Sequence, residues 1–179
     1  MATKPPTGHN LARFGDPLLL ELRVPVKLKM HAPAISKDGQ QYMNADFLDA
    51  HRRHMIDGEA LFQASRLANA DQLFGFAVEC GLKRLMVGFG MLVDATGSPT
   101  NRKDWLHADK VWDRYETYRS SSGGGANYVL PSPNPYLDWN ASQRYANSSD
   151  VLLPNVEIHR TAAETVAALV KKAVLEGLI

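Results

Sequence analysis

Cysteine is all but missing from this 179-residue chain: Cys80 stands alone, so no disulfide can form within it. Nothing in its cysteine usage therefore requires an oxidising compartment. An excess of charge of one sign is also missing. The formal net charge is +1, which leaves no global field to draw nucleic acid or an anionic membrane. No apolar run approaches the roughly 20 residues that a membrane-spanning helix needs. The opening Met1-Ala2-Thr3-Lys4-Pro5-Pro6 lacks the apolar stretch of a signal peptide. A cytoplasmic protein with no membrane association is expected. Ser120-Ser121-Ser122-Gly123-Gly124-Gly125 has the glycines of a phosphate loop but no Gly-Lys-Ser/Thr ending, and there is no Gly-x-Ser-x-Gly nucleophile elbow. His51-Arg52-Arg53-His54 has no cysteine or carboxylate to complete a metal set, and reads as surface charge on a helix. No cofactor and no metal are expected.

What the chain does have is an unusual helix. From about 70 to 92 the apolar residues fall all round a 3.6-residue period, which places this helix in the middle of a bundle. Within it lies Glu79, four residues before Lys83. A carboxylate in such a place must be paired or hydrogen-bonded. Cys80, its neighbour, reads as a small inert hydrophobe rather than a nucleophile.

Around this helix the patterns give an all-α architecture. Residues 1–44 form an extended N-terminal arm: prolines at 5, 6, 17, 25 and 33 exclude a long helix, and Val24, Val26, Leu28 and Met30 alternate as in a strand. Lys37-Asp38-Gly39-Gln40 reads as a turn. The arm is basic, since residues 1–40 hold six Lys/Arg against three Asp/Glu. Asn44 offers a cap for a first helix reaching Leu67, with Phe47, Leu48, Met55, Leu61 and Phe62 on one face. A short joint makes an antiparallel hairpin with the second helix. A third helix is expected over about 105–119 after a loop at 94–104. A long proline-rich connection follows, with a short helix near 138–145. The last helix starts at Pro154-Asn155 with Asn155 as cap, carries Ala162, Val166, Leu169, Val170 and Ala173 as its stripe, and ends at Gly177. Residues 45–179 thus read as an up-down four-helix bundle.

Two histidines sit on inward stripes near helix starts. His107 precedes Val111 and Tyr115 by four and eight residues, and His159 precedes Ala162 and Val166 by three and seven. Helix N-termini disfavour imidazolium and favour anions such as phosphate. The bland alternative is a pair of histidines tied to backbone or carboxylate. Trp105, Trp112 and Tyr115 lie at helical spacings that suit core or interface.

The stretch Ala68–Lys83, with its Glu79-Cys80-Gly81-Leu82-Lys83, resembles the second helix of the HEPN superfamily, and the resemblance extends at fold level over 45–176. It implies a helical bundle, often dimeric, common in toxin–antitoxin and toxin–immunity settings. HEPN ribonucleases carry an Arg-x(4–6)-His motif that cleaves RNA without metal. Arg102-Lys103-Asp104-Trp105-Leu106-His107 has that spacing, which makes Arg102 a phosphate holder and His107 an acid–base or positioning residue. It departs in having Lys103 where a polar residue such as Asn is usual, and in opening the third helix rather than the last. Asp138-Trp139-Asn140-Ala141-Ser142-Gln143-Arg144-Tyr145 is similar to the Arg-Tyr element of non-catalytic HEPN domains. There Arg144 would clamp a phosphate or carboxylate, or serve as the structural partner of Glu79. The resemblance implies a non-catalytic binding module using Glu79, Arg144, Tyr145 and His159. Its partner would be a protein, a toxin or a nucleotidyltransferase-type enzyme encoded separately. The alternative is a metal-independent endoribonuclease acting on RNA through Arg102 and His107.

Overall fold

The structure is a computed structural model that describes residues 34–35 and 41–179, all within one compact unit spanning Pro33–Ile179. It is an all-α bundle. Among the described residues the principal helices are α1 (Phe47–Gln63), α2 (Leu67–Gly88), α3 (Ala108–Ser121) and α4 (Leu153–Leu175). Short 3₁₀ turns lie at Arg102–Asp104, Gly125–Asn127, Ala141–Tyr145 and Ser148–Asp150. A two-residue antiparallel ladder, β1 (Ala34–Ile35) with β2 (Gln41–Tyr42), precedes α1. The alternation at Val24–Met30 and the turn at 37–40 fall outside the described residues. No helix of the described residues is long and apolar enough to cross a membrane.

The helix with apolar residues on every side is the centre of the bundle. Ala70, Phe74, Ala77, Val78, Leu82, Leu85 and Met86 are fully buried, and α2 contacts α1, α3 and α4. The sequence-based bounds shift at several ends for local reasons. Helix α1 is capped by Asp46 rather than Asn44, its carboxylate accepting from the amides of Leu48 and Asp49 at 3.0 Å. Helix α4 is capped at Leu152 rather than at Asn155, three residues earlier than expected, because Pro154 fits its first turn.

Three helices end alike. Beyond α1, α2 and α4, Ser65, Gly90 and Gly177 adopt left-handed backbone (φ 57°, 103° and 72°). In each case the residue after them donates to a carbonyl in the last turn: Arg66 to Leu61, Met91 to Met86 and Leu178 to Ala173. This is the Schellman closure, which satisfies carbonyls the helix leaves open.

Contacts fix the directions of the helices. Gly58 lies against Phe74 while His51 lies against Ala77 and Gly81, so α1 and α2 are antiparallel. Asp71 meets His159, Gly81 meets Val166 and Gly88 meets Ile179, so α4 runs in the same direction as α2. Likewise Glu79 meets His107 and Phe89 meets Tyr115, so α3 does too. Alternation therefore holds for α1 and α2 and then gives way. The return path between α3 and α4 is a strap over 128–139, irregular at first and closed by a turn at 135–138, which runs back along both helices. Tyr115 donates its hydroxyl to Tyr128 O at 2.7 Å, Trp112 its indole N–H to Pro131 O at 3.3 Å, and Asn134 its amide to Asp109 O at 2.9 Å. Prolines at 131, 133 and 135 keep this segment out of a helix and remove backbone donors that would otherwise be left unpaired.

At its end the strap seats Trp139, 1% exposed, on α2. A Cβ at position 75 would run into the indole ring, so only glycine lets Trp139 approach the helix this closely. Burying an indole removes on the order of 200 Å² from water, about 5 kcal/mol as an upper bound. Two outcomes follow for chemical denaturation. Gly75→Ala should lose about 1–3 kcal/mol, the usual cost of overpacking. Ser65→Gly should gain about 0.5–1 kcal/mol by relieving the left-handed strain of a residue with a Cβ.

Candidate functional site

Two histidine–carboxylate clusters are built on α2, and they differ in burial. The outer one contains Glu79, whose side chain is 16% exposed. Lys83, one turn on, donates to Glu79 Oε1 at 2.7 Å, as the four-residue spacing suggests. The other oxygen, Oε2, lies 2.8 Å from Nδ1 of His107. His107 does not face inward. It is the cap residue of α3 (φ −96°, ψ 178°) and stands outside the helical repeat, so its spacing to Val111 and Tyr115 does not set its direction. Its side chain is 60% exposed, held by Glu79 on one nitrogen while the other has no partner among the described residues. An imidazole oriented by a carboxylate and open to solvent is competent for proton transfer.

Arg102 stands in the separate 3₁₀ turn before α3, so Arg102 and His107 are not on one helix. The helix expected from 105 begins at Ala108 because Asp104, 1% exposed, is drawn into an ion pair with Arg114 Nε at 2.7 Å and accepts from Tyr118 Oη at 2.8 Å. The same turn leaves Trp105 65% exposed, its indole N–H donated to Pro99 O at 2.7 Å. Arg102 itself is exposed and makes no side-chain hydrogen bond or ion pair among the described residues.

Arg144 is not the partner of Glu79. Both oxygens of Glu79 are taken by Lys83 and His107, and Arg144, in the turn Ala141–Tyr145, donates to Ala141 O at 3.2 Å and lies 4.7 Å over the ring of Tyr145. Arg144 and Tyr145 are both exposed. His51 corrects a second expectation: it is buried, not surface charge. Its Nδ1 donates to Ala77 O at 2.7 Å, and burial pushes its pKa down against the help of that bond. Gly81 makes room for the ring, since a Cβ there would stand 2.7 Å from Nδ1. His54 points elsewhere, against Phe76. Among the described residues no group of three or more His, Cys, Asp or Glu is placed as metal ligands would be. Burial raises the Cys80 thiol to about 12, which keeps it an inert apolar group.

The inner cluster centres on His159, 3% exposed on the packed face of α4, as its stripe predicts. Its Nδ1 lies 2.6 Å from Asp71 Oδ1 and its Nε2 lies 3.1 Å from Asp138 Oδ1. Gln143 donates to the other oxygen of Asp71, and Trp139 donates its indole N–H to Asp71 O at 3.1 Å. Tyr136 stacks on the imidazole at 4.6 Å and donates its hydroxyl to His159 O at 2.7 Å. Burial works against the charged ring, and the two carboxylates outweigh it, so the pKa of His159 is raised above the ordinary 6.5. Asp71, Asp138, Tyr136 and Gln143 were not singled out from the sequence. A signal for Asp71 was present: like Glu79, it is a carboxylate on a helix that is apolar all round.

Comparison with known protein families, with curated proteins and with solved structures finds no match to this chain.

The two buried histidines give opposite pH dependences. The stabilisation from His159, whose pKa is raised, is complete below 6.5 and is lost as pH climbs through its folded value. That from His51, whose pKa is lowered, is present above 6.5 and is lost as pH falls through its folded value. His159→Gln should therefore cost about 3 kcal/mol in denaturation at pH 6, the scale of a broken buried pair, and clearly less at pH 9. A penalty that does not change with pH would show that His159 folds neutral.

Proposed function

We propose that the chain is a non-catalytic helical binding module of HEPN-like type that engages a separate protein partner. The observation that carries this reading is a shallow open groove of about 520 Å³ between the strap and α4. Pro131, Pro133 and Pro135 form one wall, and Pro154, Ile158 and Thr161 are on the other. Ile158 is 55% exposed. Apolar side chains left in water along a preformed wall are what a protein partner covers. The walls are rigid, because the strap is tied by side-chain hydrogen bonds to α3 and α4 at 131, 134 and 136, so little ordering cost would accompany binding. The resemblance of 45–176 to HEPN domains supplies the setting: a toxin–antitoxin or immunity-type pair, or an accessory role beside a nucleotidyltransferase-type enzyme, in the cytoplasm and as a homodimer. Arg144 and Tyr145, exposed and stacked on each other, belong to this reading as a second contact surface.

A second reading is favoured by one specific observation, the exposed His107 oriented by Glu79. In it the chain is a metal-independent endoribonuclease, with Arg102 binding the scissile phosphate and His107 transferring protons.

One pair of experiments separates them. Protein purified from cells that naturally make it should retain a partner, and rebinding of that partner should weaken at least tenfold in Ile158→Asp, a contact worth more than about 1.4 kcal/mol. Leu175→Asp, exposed on the same helix but outside the groove, should rebind normally. Metal-free cleavage of mixed RNA in EDTA that disappears in both His107→Ala and Arg102→Ala would overturn the binding module in favour of the nuclease.

A further inference from the structure

Next to the groove residues Pro135 and Pro154 in sequence, an exposed side chain ties the strap to α4. Asp138 belongs to the strap, three residues beyond Pro135, and its side chain is 59% exposed. One oxygen lies 3.1 Å from Nε2 of His159, the other 3.4 Å from Nδ2 of Asn155, and both of those partners belong to the first two turns of α4. Both ring nitrogens of His159 thus face carboxylate oxygens, which only accept. Two accepting partners require two N–H groups, and an imidazole carries two only as the cation.

We infer that Asp138 is a proton-controlled latch between the strap and the first turns of α4, the two elements that wall the groove, closed while His159 holds hydrogens on both ring nitrogens and opened when Nε2 loses its own. This inference rests on reading the groove as the binding site. The asymmetry of the two carboxylates decides which bond breaks. Asp71 is 4% exposed, is held by Gln143 and lies closer to the ring, so Nδ1 keeps its hydrogen. At Nε2 the departing proton leaves a lone pair facing a carboxylate, a repulsive contact, and Asp138 has solvent to turn into. The other groups around the ring do not compensate. Tyr136, from the strap, stacks on the ring and donates its hydroxyl to the His159 backbone; burial drives its pKa up, so it stays neutral. Arg160, next along α4, is turned to Glu59 of α1 at 2.7 Å and to Glu164 at 3.1 Å. Asp71 from α2 and Asp138 from the strap are the charges that face His159 among the described residues. Raised pH therefore removes the outer tie between the strap and the first turns of α4, which carry Pro154 and Ile158, and leaves the Tyr136 bond to His159 O as the inner one.

The test uses the full chain without any partner. The imidazole nitrogens of His159 are followed by NMR between pH 5.5 and 9.5 beside the exchange of the Val156, Glu157 and Ile158 amides, corrected for base catalysis. In the wild type, loss of the Nε2 proton should coincide with a rise in exchange of fivefold or more. In Asp138→Asn, whose side chain is too exposed to threaten folding, the step in exchange should vanish and His159 should titrate at lower pH. An imidazole that stays neutral throughout, a wild type with no step, or a step that persists in Asp138→Asn would each overturn the latch. Failure of Ile158→Asp to weaken partner binding would count against the groove reading alone.

Discussion

A carboxylate on a helix enclosed on every side must find its compensation within the protein, and α2 carries two, Asp71 and Glu79, about two turns apart. The two solutions differ in kind. Glu79 lies near the edge of the enclosed face and is met first by Lys83 from its own helix and then by the exposed His107. Asp71 lies deeper and is met entirely from afar: His159 of α4, Gln143 of a 3₁₀ turn and, through its backbone carbonyl, Trp139 of the strap. Satisfying Asp71 therefore draws three segments distant in sequence onto one place on α2. The strap, the start of α4 and the groove between them take their positions from that demand.

The strap explains how α3 and α4 can run in one direction, as the 89–107 connection does for α2 and α3. Parallel neighbours need long connections, and the 128–139 segment packs as a fifth member running antiparallel to α3 and α4. Its cohesion is aromatic. Tyr115, Trp112 and Tyr136 each give one polar hydrogen to a backbone carbonyl of, or beside, this segment while burying the rest of the ring. Rings with one polar tip suit a chain that has carbonyls to satisfy and few amides to offer. Rigidity bought in this way leaves prolines facing outward along the groove.

Much of the fold was legible. Helix α2 announced itself by apolar residues on all sides, α1 by its single face, and the end of α4 by Gly177. The pairing of Glu79 with Lys83 followed from spacing alone, and the inward position of His159 from its stripe. The misreadings have more than one cause, and for His107 it is helical periodicity carried past a helix end. His107 was placed inward by counting turns from Val111, but it is a cap and lies outside the repeat. Arg102 falls in the loop before the third helix, as read, but the helix itself starts three residues late, where the buried Asp104–Arg114 pair holds the chain in a separate turn. His51 was read from its charged neighbours Arg52 and Arg53, whereas the absence of a side chain at Gly81, thirty residues on, is what admits it to the interior.

The sequence by itself determined which segments are helical, where most of them stop and which helix is central, because these depend on residues within a few positions of one another. The tertiary structure alone decided that Asp138 and Asp71 share one histidine, that Trp139 rests on Gly75 and that the prolines of the strap face α4. Those pairings join residues 21 to 88 positions apart. No local period encodes them, since they arise from burial and charge compensation, which exist only once the chain has closed on itself.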